Sequence, residues 1–124
     1  MISAHAPAPA EDKRLPFDEA APGAVGLETL LAGLLALHHD GRVALVDLIR
    51  AVTYAPAALL GLKTGRLKPG APADLVLCDL GAPFVLDADT LLSKSKNSPF
   101  DGRRLQGQVL LTMAGGKVVH KAQE

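Results

Sequence analysis

Apolar residues in the first half of the chain recur at helical spacing. The first stripe comprises Leu27, Leu30, Leu31 and Leu34, and the second comprises Leu45, Leu48, Ile49 and Val52. Both follow the i, i+3, i+4, i+7 pattern of one helical face. We therefore expect a helix that begins near Gly26 and stops at Gly41, and a second helix after it. A third, short helix should open at Pro56, which suits a first turn, and close at Gly61.

The second half has the pattern of strands and turns. The run 74–79 is apolar, bounded by charges and too short to form an independent helix. The segments 109–113 and 117–120 flank Gly115 and Gly116, which can supply the positive φ angles of a tight hairpin. We expect a small sheet here, and divide the chain into 1–62 and 63–124.

Residues 3–25 show no sustained period and contain several prolines. This composition predicts a long loop after a short strand remnant at Ile2 and Ser3. Long loops of this kind are either functional or disordered.

The composition limits the size of the fold and the partners. The 124 residues are 48% apolar, enough for one packed core but short of the roughly 200 residues of a complete TIM barrel. Thirteen basic and thirteen acidic residues leave no formal net charge, which argues against nucleic acid or an anionic membrane as partner. No apolar run approaches the ~20 residues of a membrane span, and no signal-peptide pattern follows Met1, so we expect a soluble cytoplasmic protein. Cys78, the only cysteine, lies in an apolar run and is interpreted as a buried structural thiol.

The loop carries a family resemblance. It contains Ser3-Ala4-His5-Ala6-Pro7-Ala8, then Pro22-Gly23, then Gly26-Leu27-Glu28-Thr29. This order resembles the last barrel strand and following loop of dihydroorotases, which read Ser-Asp-His-Ala-Pro-His. The resemblance places Ala4 where the family has its proton-transferring Asp and Ala8 where it has a substrate-binding His. His5 matches the histidine beside that Asp, and Pro22 and Gly23 match the main-chain contact with substrate.

The second half resembles the same family independently. The segment 65–77 is similar to the return from the barrel to the small β-domain in many amidohydrolases. The segment 93–102, followed by Gly107-Gln108-Val109, is similar to the tail of bacterial and multifunctional animal dihydroorotases.

The resemblance implies an α/β fold, the metal-dependent TIM-barrel amidohydrolase. This chain would cover the last barrel strand, its loop and helices, and part of the small β-domain, and so be α+β by itself. The family's zinc ligands, a His-x-His pair among them, would lie upstream. The histidines here are His5, His38, His39 and His120, and none forms such a pair. Because zinc catalysis needs about three protein ligands, we expect no zinc bound by this chain.

The remaining histidines have simpler interpretations. With Ala4 as its neighbour, His5 is interpreted as a solvent-exposed loop residue. His38 and His39 should end the first helix, where the helix dipole favours positive charge. Adjacent helix positions diverge too far to share a metal ion readily.

Two basic stretches also have a simple interpretation. Lys13 and Arg14 follow Glu11 and Asp12, which favours a solvated turn over an anion site. The basic tail is offset by three aspartates and is interpreted as solvated surface. Its cations are Lys94, Lys96, Arg103 and Arg104.

The sequence leads to two functional hypotheses. The first is a dihydroorotase-like segment, from a family that reversibly hydrolyses dihydroorotate to carbamoyl aspartate in pyrimidine biosynthesis, inactive as this chain. Its altered loop would reflect a pseudoenzyme lineage, another catalytic arrangement or an engineered change. The second is a non-catalytic homologue acting as a structural partner of aspartate transcarbamoylase. In the full fold the first leucine stripe would pack against a barrel, most of which is absent from this chain. In either case the stripe should therefore drive self-association or association with the missing barrel portion.

Overall fold

The computed structural model describes residues 1–122 and contains four helices and one sheet. The helices are α1 (Ala10–Lys13), α2 (Leu30–His39), α3 (Leu45–Val52) and α4 (Tyr54–Leu59). The strands are β1 (Leu75–Val85), β2 (Arg104–Ala114) and β3 (Lys117–Lys121), with a 3-10 helix at Ala88–Thr90. The strands form an antiparallel sheet in the order β1-β2-β3. Helices followed by a small sheet confirm the α+β organisation expected of the isolated chain.

The three predicted helices are present, with shifted starts. α2 begins at Leu30 rather than near Gly26, because the Glu28 carboxylate accepts bonds from the main-chain N–H groups of Leu92 and Ser93 at 2.9 and 3.1 Å. These contacts hold the residues before Leu30 outside the helix. α4 begins at Tyr54, so Pro56 is its third residue rather than its first.

The N-terminal segment differs from its prediction. No strand forms at Ile2 and Ser3; one parallel bridge joins His5 to Ala24 instead. A strand needs a partner along its length, and within residues 1–122 this segment pairs only through that bridge. The loop also contains α1, a single turn that its proline-rich sequence did not predict.

The sheet is longer than the apolar runs suggested. β1 continues past Asp79 through a bulge, where the Asp79 carboxylate accepts bonds from the N–H groups of Gly81 and Ala82 at 2.9 and 3.0 Å. The side chain satisfies main-chain groups that the bulge removes from the ladder, and pairing resumes at Pro83. Cys78 is half-buried, not buried, because β1 is nowhere fully covered: from Cys78 onward its residues alternate between half-buried and exposed.

The predicted hairpin between β2 and β3 is confirmed. Gly115 and Gly116 have φ angles of 54° and 80°, the two positive values of a type I′ turn.

One hydrophobic cluster draws on both halves of the chain. Its members are Val25, Ala32, Leu86, Ala88, Leu91 and Leu105. Against it, α2 packs on β2 where Gly107 lies under Leu35; a Cβ at Gly107 would stand 2.2 Å from the Leu35 Cδ1 atom. Only glycine permits this approach, which brings the helix onto the sheet.

The sheet presents apolar side chains on one face. Directly paired residues of antiparallel strands share a face, as do alternate residues of one strand. The pairing places Leu75, Leu77, Leu111, Met113 and Val118 on one face, which we call the apolar sheet face, with Lys121, the partner of Leu111, at its edge strand. The Leu77 and Val118 side chains are 58% and 54% exposed.

The first leucine stripe is less exposed than an association surface formed by all four leucines would be. Only Leu27 of that stripe is largely exposed, whereas Leu34 is buried and the other two members are half-buried. The buried face of α2 is formed by Ala32, Leu34 and Leu35, because the sheet covers it.

No helix among residues 1–122 is long and apolar enough to cross a membrane.

Candidate functional site in the N-terminal loop

The predicted loop site is built from two short segments held side by side. The Ala6 N–H donates to the Ala24 carbonyl at 2.9 Å, beside the His5–Ala24 bridge. The fit is tight, since a Cβ on Gly26 would lie 2.4 Å from the Ser3 carbonyl oxygen. The glycine at position 26 thus allows residues 3–6 to lie against residues 23–26.

Ala4 has an unusual main-chain conformation. It is the only non-glycine residue of the described chain with positive φ, at 50°. This left-handed conformation is unfavourable for most L-residues, while Asn and Asp adopt it several-fold more often. The main chain at position 4 therefore suits the residue type that the family resemblance places there.

His5 has a structural role at this site. Its side chain is half-buried, and its Nδ1 accepts a hydrogen bond from the Gly26 N–H at 3.1 Å. The interpretation of His5 as a solvent-exposed residue was therefore wrong. The ring therefore joins the two segments, and its Nδ1 atom is engaged by the Gly26 N–H.

The Gly23 carbonyl is held from two sides. It accepts hydrogen bonds from the Lys13 Nζ at 2.5 Å and from the Asn97 Nδ2 at 2.9 Å. The Lys13 Nζ also donates to the Ala21 carbonyl. Lys13 thus joins two parts of the loop and is not part of the solvated turn that the neighbouring opposite charges had suggested.

Asn97 was missed by the sequence analysis. It lies within the 93–102 segment that carried part of the resemblance, but nothing local indicates that it reaches the loop. Its carbonyl also accepts from the Val25 N–H at 2.8 Å. The main chain beside Pro22 is thus held partly by Asn97, a residue 74 positions from Gly23 in sequence.

The structure brings only some of the candidate residues together. Ala4 and Gly23 line one cavity of about 430 Å³, which we call the loop cavity and which Phe100 also lines. Ala8 lines a different cavity, and Pro22 is exposed outside both.

The described residues do not suit a zinc ion. No group of three His, Cys, Asp or Glu side chains among them is arranged to hold a metal. The His38 Nδ1 lies 3.3 Å from the Val43 carbonyl, and the His39 Nε2 lies 3.0 Å from the Leu80 carbonyl. These two histidines occupy the last turn of α2, as predicted.

Comparison with known proteins defines the class. Residues 17–119 match the model of the amidohydrolase family, and the chain belongs to that family. It is 45% identical over 96% of its length to the dihydroorotase of Ehrlichia chaffeensis, and 46% identical over 94% to that of Geobacter metallireducens. The predicted relationship to dihydroorotases is thereby confirmed. The chain spans 27% and 28% of the length of these two relatives.

Solved structures agree on the fold. The L-hydantoinase (dihydropyrimidinase) of Arthrobacter aurescens superposes with a TM-score of 0.79 at 38% identity, covering 86% of this chain and 24% of that protein. A D-hydantoinase (dihydropyrimidinase) from Thermus sp. superposes with a TM-score of 0.84 over 97% of this chain and 28% of its own. At 24% identity, the second similarity shows the fold alone.

Proposed function

We propose that this chain is the loop and small-sheet portion of a dihydroorotase-type amidohydrolase whose loop has lost its proton-transferring group. The family reaction opens and closes the dihydroorotate ring in cytoplasmic pyrimidine biosynthesis. In this proposal residues 1–62 complete a TIM barrel and residues 63–124 belong to the small β-domain. The observation that carries the proposal is the left-handed conformation of Ala4, in a loop whose sequence otherwise follows the family.

The missing group accounts for inactivity. Ring opening needs a titratable side chain within hydrogen-bond reach of the leaving nitrogen. The methyl group of Ala4 neither accepts nor donates a proton, and the methyl group of Ala8 offers no hydrogen bond to substrate. The site therefore lacks both the proton-transferring group and one substrate contact.

Substrate positioning by the main chain is independent of these two losses. The family contact at Pro22 and Gly23 uses main-chain atoms, and Lys13 and Asn97 fix the Gly23 carbonyl in place. In this proposal zinc, which activates water in the family, is held by ligands outside these 124 residues. The residues described here supply orientation only.

A chimaera tests the proposal. This chain would replace the matched segment of the Geobacter metallireducens dihydroorotase, to which it is 46% identical. We expect the unaltered chimaera to be inactive and Ala4→Asp to raise turnover about 10²- to 10⁴-fold, the contribution of a positioned acid or base. Adding Ala8→His should mainly lower KM. The matched control, Ala10→Asp on the same loop, should give no gain.

Two outcomes would contradict the proposal. One is an unaltered chimaera that already turns over dihydroorotate. The other is a doubly restored chimaera that folds and holds its metal yet gains no rate. Metal content and circular dichroism of each chimaera separate that result from a failure to fold.

A second candidate is a non-catalytic structural partner, for which aspartate transcarbamoylase is the expected associate. The apolar sheet face favours it, because an exposed apolar surface of this kind is typical of protein contacts. Size-exclusion chromatography with purified transcarbamoylase tests it. We expect a complex that Val118→Lys abolishes, and co-elution that survives this change would contradict binding through the sheet face.

A further inference from the structure

A second cavity lies between residues 7–14 and 93–97. It measures about 810 Å³, and we call it the basic cavity. Its charged lining residues are Lys13, Arg14, Lys94 and Lys96. No aspartate or glutamate lines it, while two serines and an asparagine add polar groups. Two basic stretches 80 residues apart in sequence thus meet at one concave surface.

The acidic residues that offset these charges in the sequence lie elsewhere. Glu11 and Asp12 precede Lys13 but do not line the cavity, and neither do the aspartates near the basic tail. Within residues 1–122 the only ion pair joins Arg50 to Asp47, 3.8 Å apart. The cavity cations therefore have no carboxylate in contact, and a concave site lined by one sign of charge concentrates counter-ions.

The cavity wall is fixed by hydrogen bonds. The Lys13 Nζ bonds the carbonyls of Ala21 and Gly23, and the Lys96 Nζ bonds that of Leu91. The Ser95 hydroxyl donates to the Ala8 carbonyl at 2.7 Å, joining the two sides of the cavity. Two positive charges are thus built into the wall, and their positions do not depend on a ligand.

The other two cations are placed to reach a ligand. Arg14 and Lys94 are exposed, and in the described part of the chain no hydrogen bond engages either charged group. A guanidinium presents a planar fork that matches two oxygens of a phosphate or carboxylate, and an ammonium adds a point charge. Four cations call for a ligand with more than one negative charge.

We propose that the basic cavity binds a small, multiply charged oxyanion, with Arg14 and Lys94 as its direct contacts. Phosphate groups and paired carboxylates share this chemistry. The basic cavity shares no lining residue with the loop cavity that holds Ala4, although it includes Ala8, the place of the family's substrate-binding His. The proposal concerns binding by this chain and needs no turnover, so its test is separate from that of the proposed function.

Titration of the purified, ¹⁵N-labelled chain tests it. Pyrophosphate and, separately, succinate would be added at constant ionic strength set with sodium chloride. We expect saturable shifts of amide resonances in residues 7–14 and 93–97. Saturation by pyrophosphate alone assigns a phosphate ligand, and saturation by succinate alone assigns a dicarboxylate; either result supports the site.

Charge-matched variants locate the binding. Arg14→Gln and Lys94→Gln should each weaken the Kd about tenfold, the order expected for one charge-assisted hydrogen bond. The controls Arg42→Gln and Lys117→Gln remove the same charge from exposed positions outside the cavity and should leave the Kd unchanged. Each variant's amide spectrum reports its folding directly.

Three results would overturn the proposal. The first is the absence of saturable shifts with both anions. The second is equal weakening by the control variants, which would mean that only net charge matters. The third is saturation located away from residues 7–14 and 93–97.

Discussion

Ala4 has a left-handed main-chain conformation that its own side chain does not favour. An alanine in the left-handed region places its Cβ against the following carbonyl, at a cost of about 1–2 kcal/mol. Asn and Asp reduce this cost because their short polar side chains bond locally. The φ of 50° persists because hydrogen bonds of the two residues after Ala4 fix the loop: His5 accepts from the Gly26 N–H, and the Ala6 N–H donates to the Ala24 carbonyl.

Replacing Ala4 should therefore change stability in a predictable direction. We expect Ala4→Asn to raise the free energy of unfolding by about 0.5–1 kcal/mol, since Asn tolerates the left-handed conformation better. Ala71→Asn is the control, because Ala71 lies in a loop with φ outside the positive region. Urea denaturation of the three proteins measures the difference. An Ala4→Asn variant no more stable than the original would contradict the assigned conformation.

At the scale of elements, one carboxylate ties the start of β1 to the β2–β3 hairpin. Asp74 accepts a hydrogen bond from the Gly115 N–H at 2.8 Å and another from the Thr64 hydroxyl at 2.8 Å. The bond from Gly115, and then that from Thr64, lower the pKa of Asp74 below its ordinary value of 3.8, because both stabilise the ionised form.

This contact should depend on pH. A carboxyl whose pKa is lower in the folded state stabilises the fold above its unfolded pKa, and that stability is lost as pH falls through the folded value. We expect Asp74→Asn to lower the denaturation midpoint at pH 7, with the difference from the unmodified chain shrinking below about pH 3.8. Asp18→Asn, on the exposed loop, serves as control. A difference that stays constant down to pH 2 would contradict the role of the ionised carboxylate.

At the scale of the whole molecule, the sheet exposes an apolar surface, whereas the sequence predicted that the first leucine stripe would be the exposed apolar surface. The leucines of helix α2 are buried or half-buried, whereas the Leu77 and Val118 side chains on the apolar sheet face are 58% and 54% exposed. Exposed surfaces of this kind favour association.

We therefore expect the chain to self-associate through the sheet. Val118→Lys should shift the protein towards monomer, because a lysine charge is costly to bury in a contact. Val76→Lys is the matched control, since Val76 is exposed to a similar extent, 57%, on the opposite face of the sheet. Sedimentation velocity at tens of micromolar measures both. A compact monomer before any substitution, or equal effects of the two variants, would argue against this surface.

The sequence by itself determined the local elements and the family. Helical spacing located α2 and α3, and paired glycines located the β2–β3 turn, because both signals depend on residues close together in the chain. The residues around Ala4 and in 93–102 indicated the dihydroorotase relationship. The same resemblance predicts that Ala4 and Ala8 stand where the family has an Asp and a His.

Only the tertiary structure decided what those elements contact. Asn97 and Lys13 both reach Gly23, Glu28 delays the start of α2, and Gly107 admits Leu35. Each effect joins residues distant in sequence, or depends on a main-chain conformation that the side chain does not encode. The basic cavity has the same origin: each basic stretch is offset by neighbouring acids along the chain, and folding alone separates the two signs of charge.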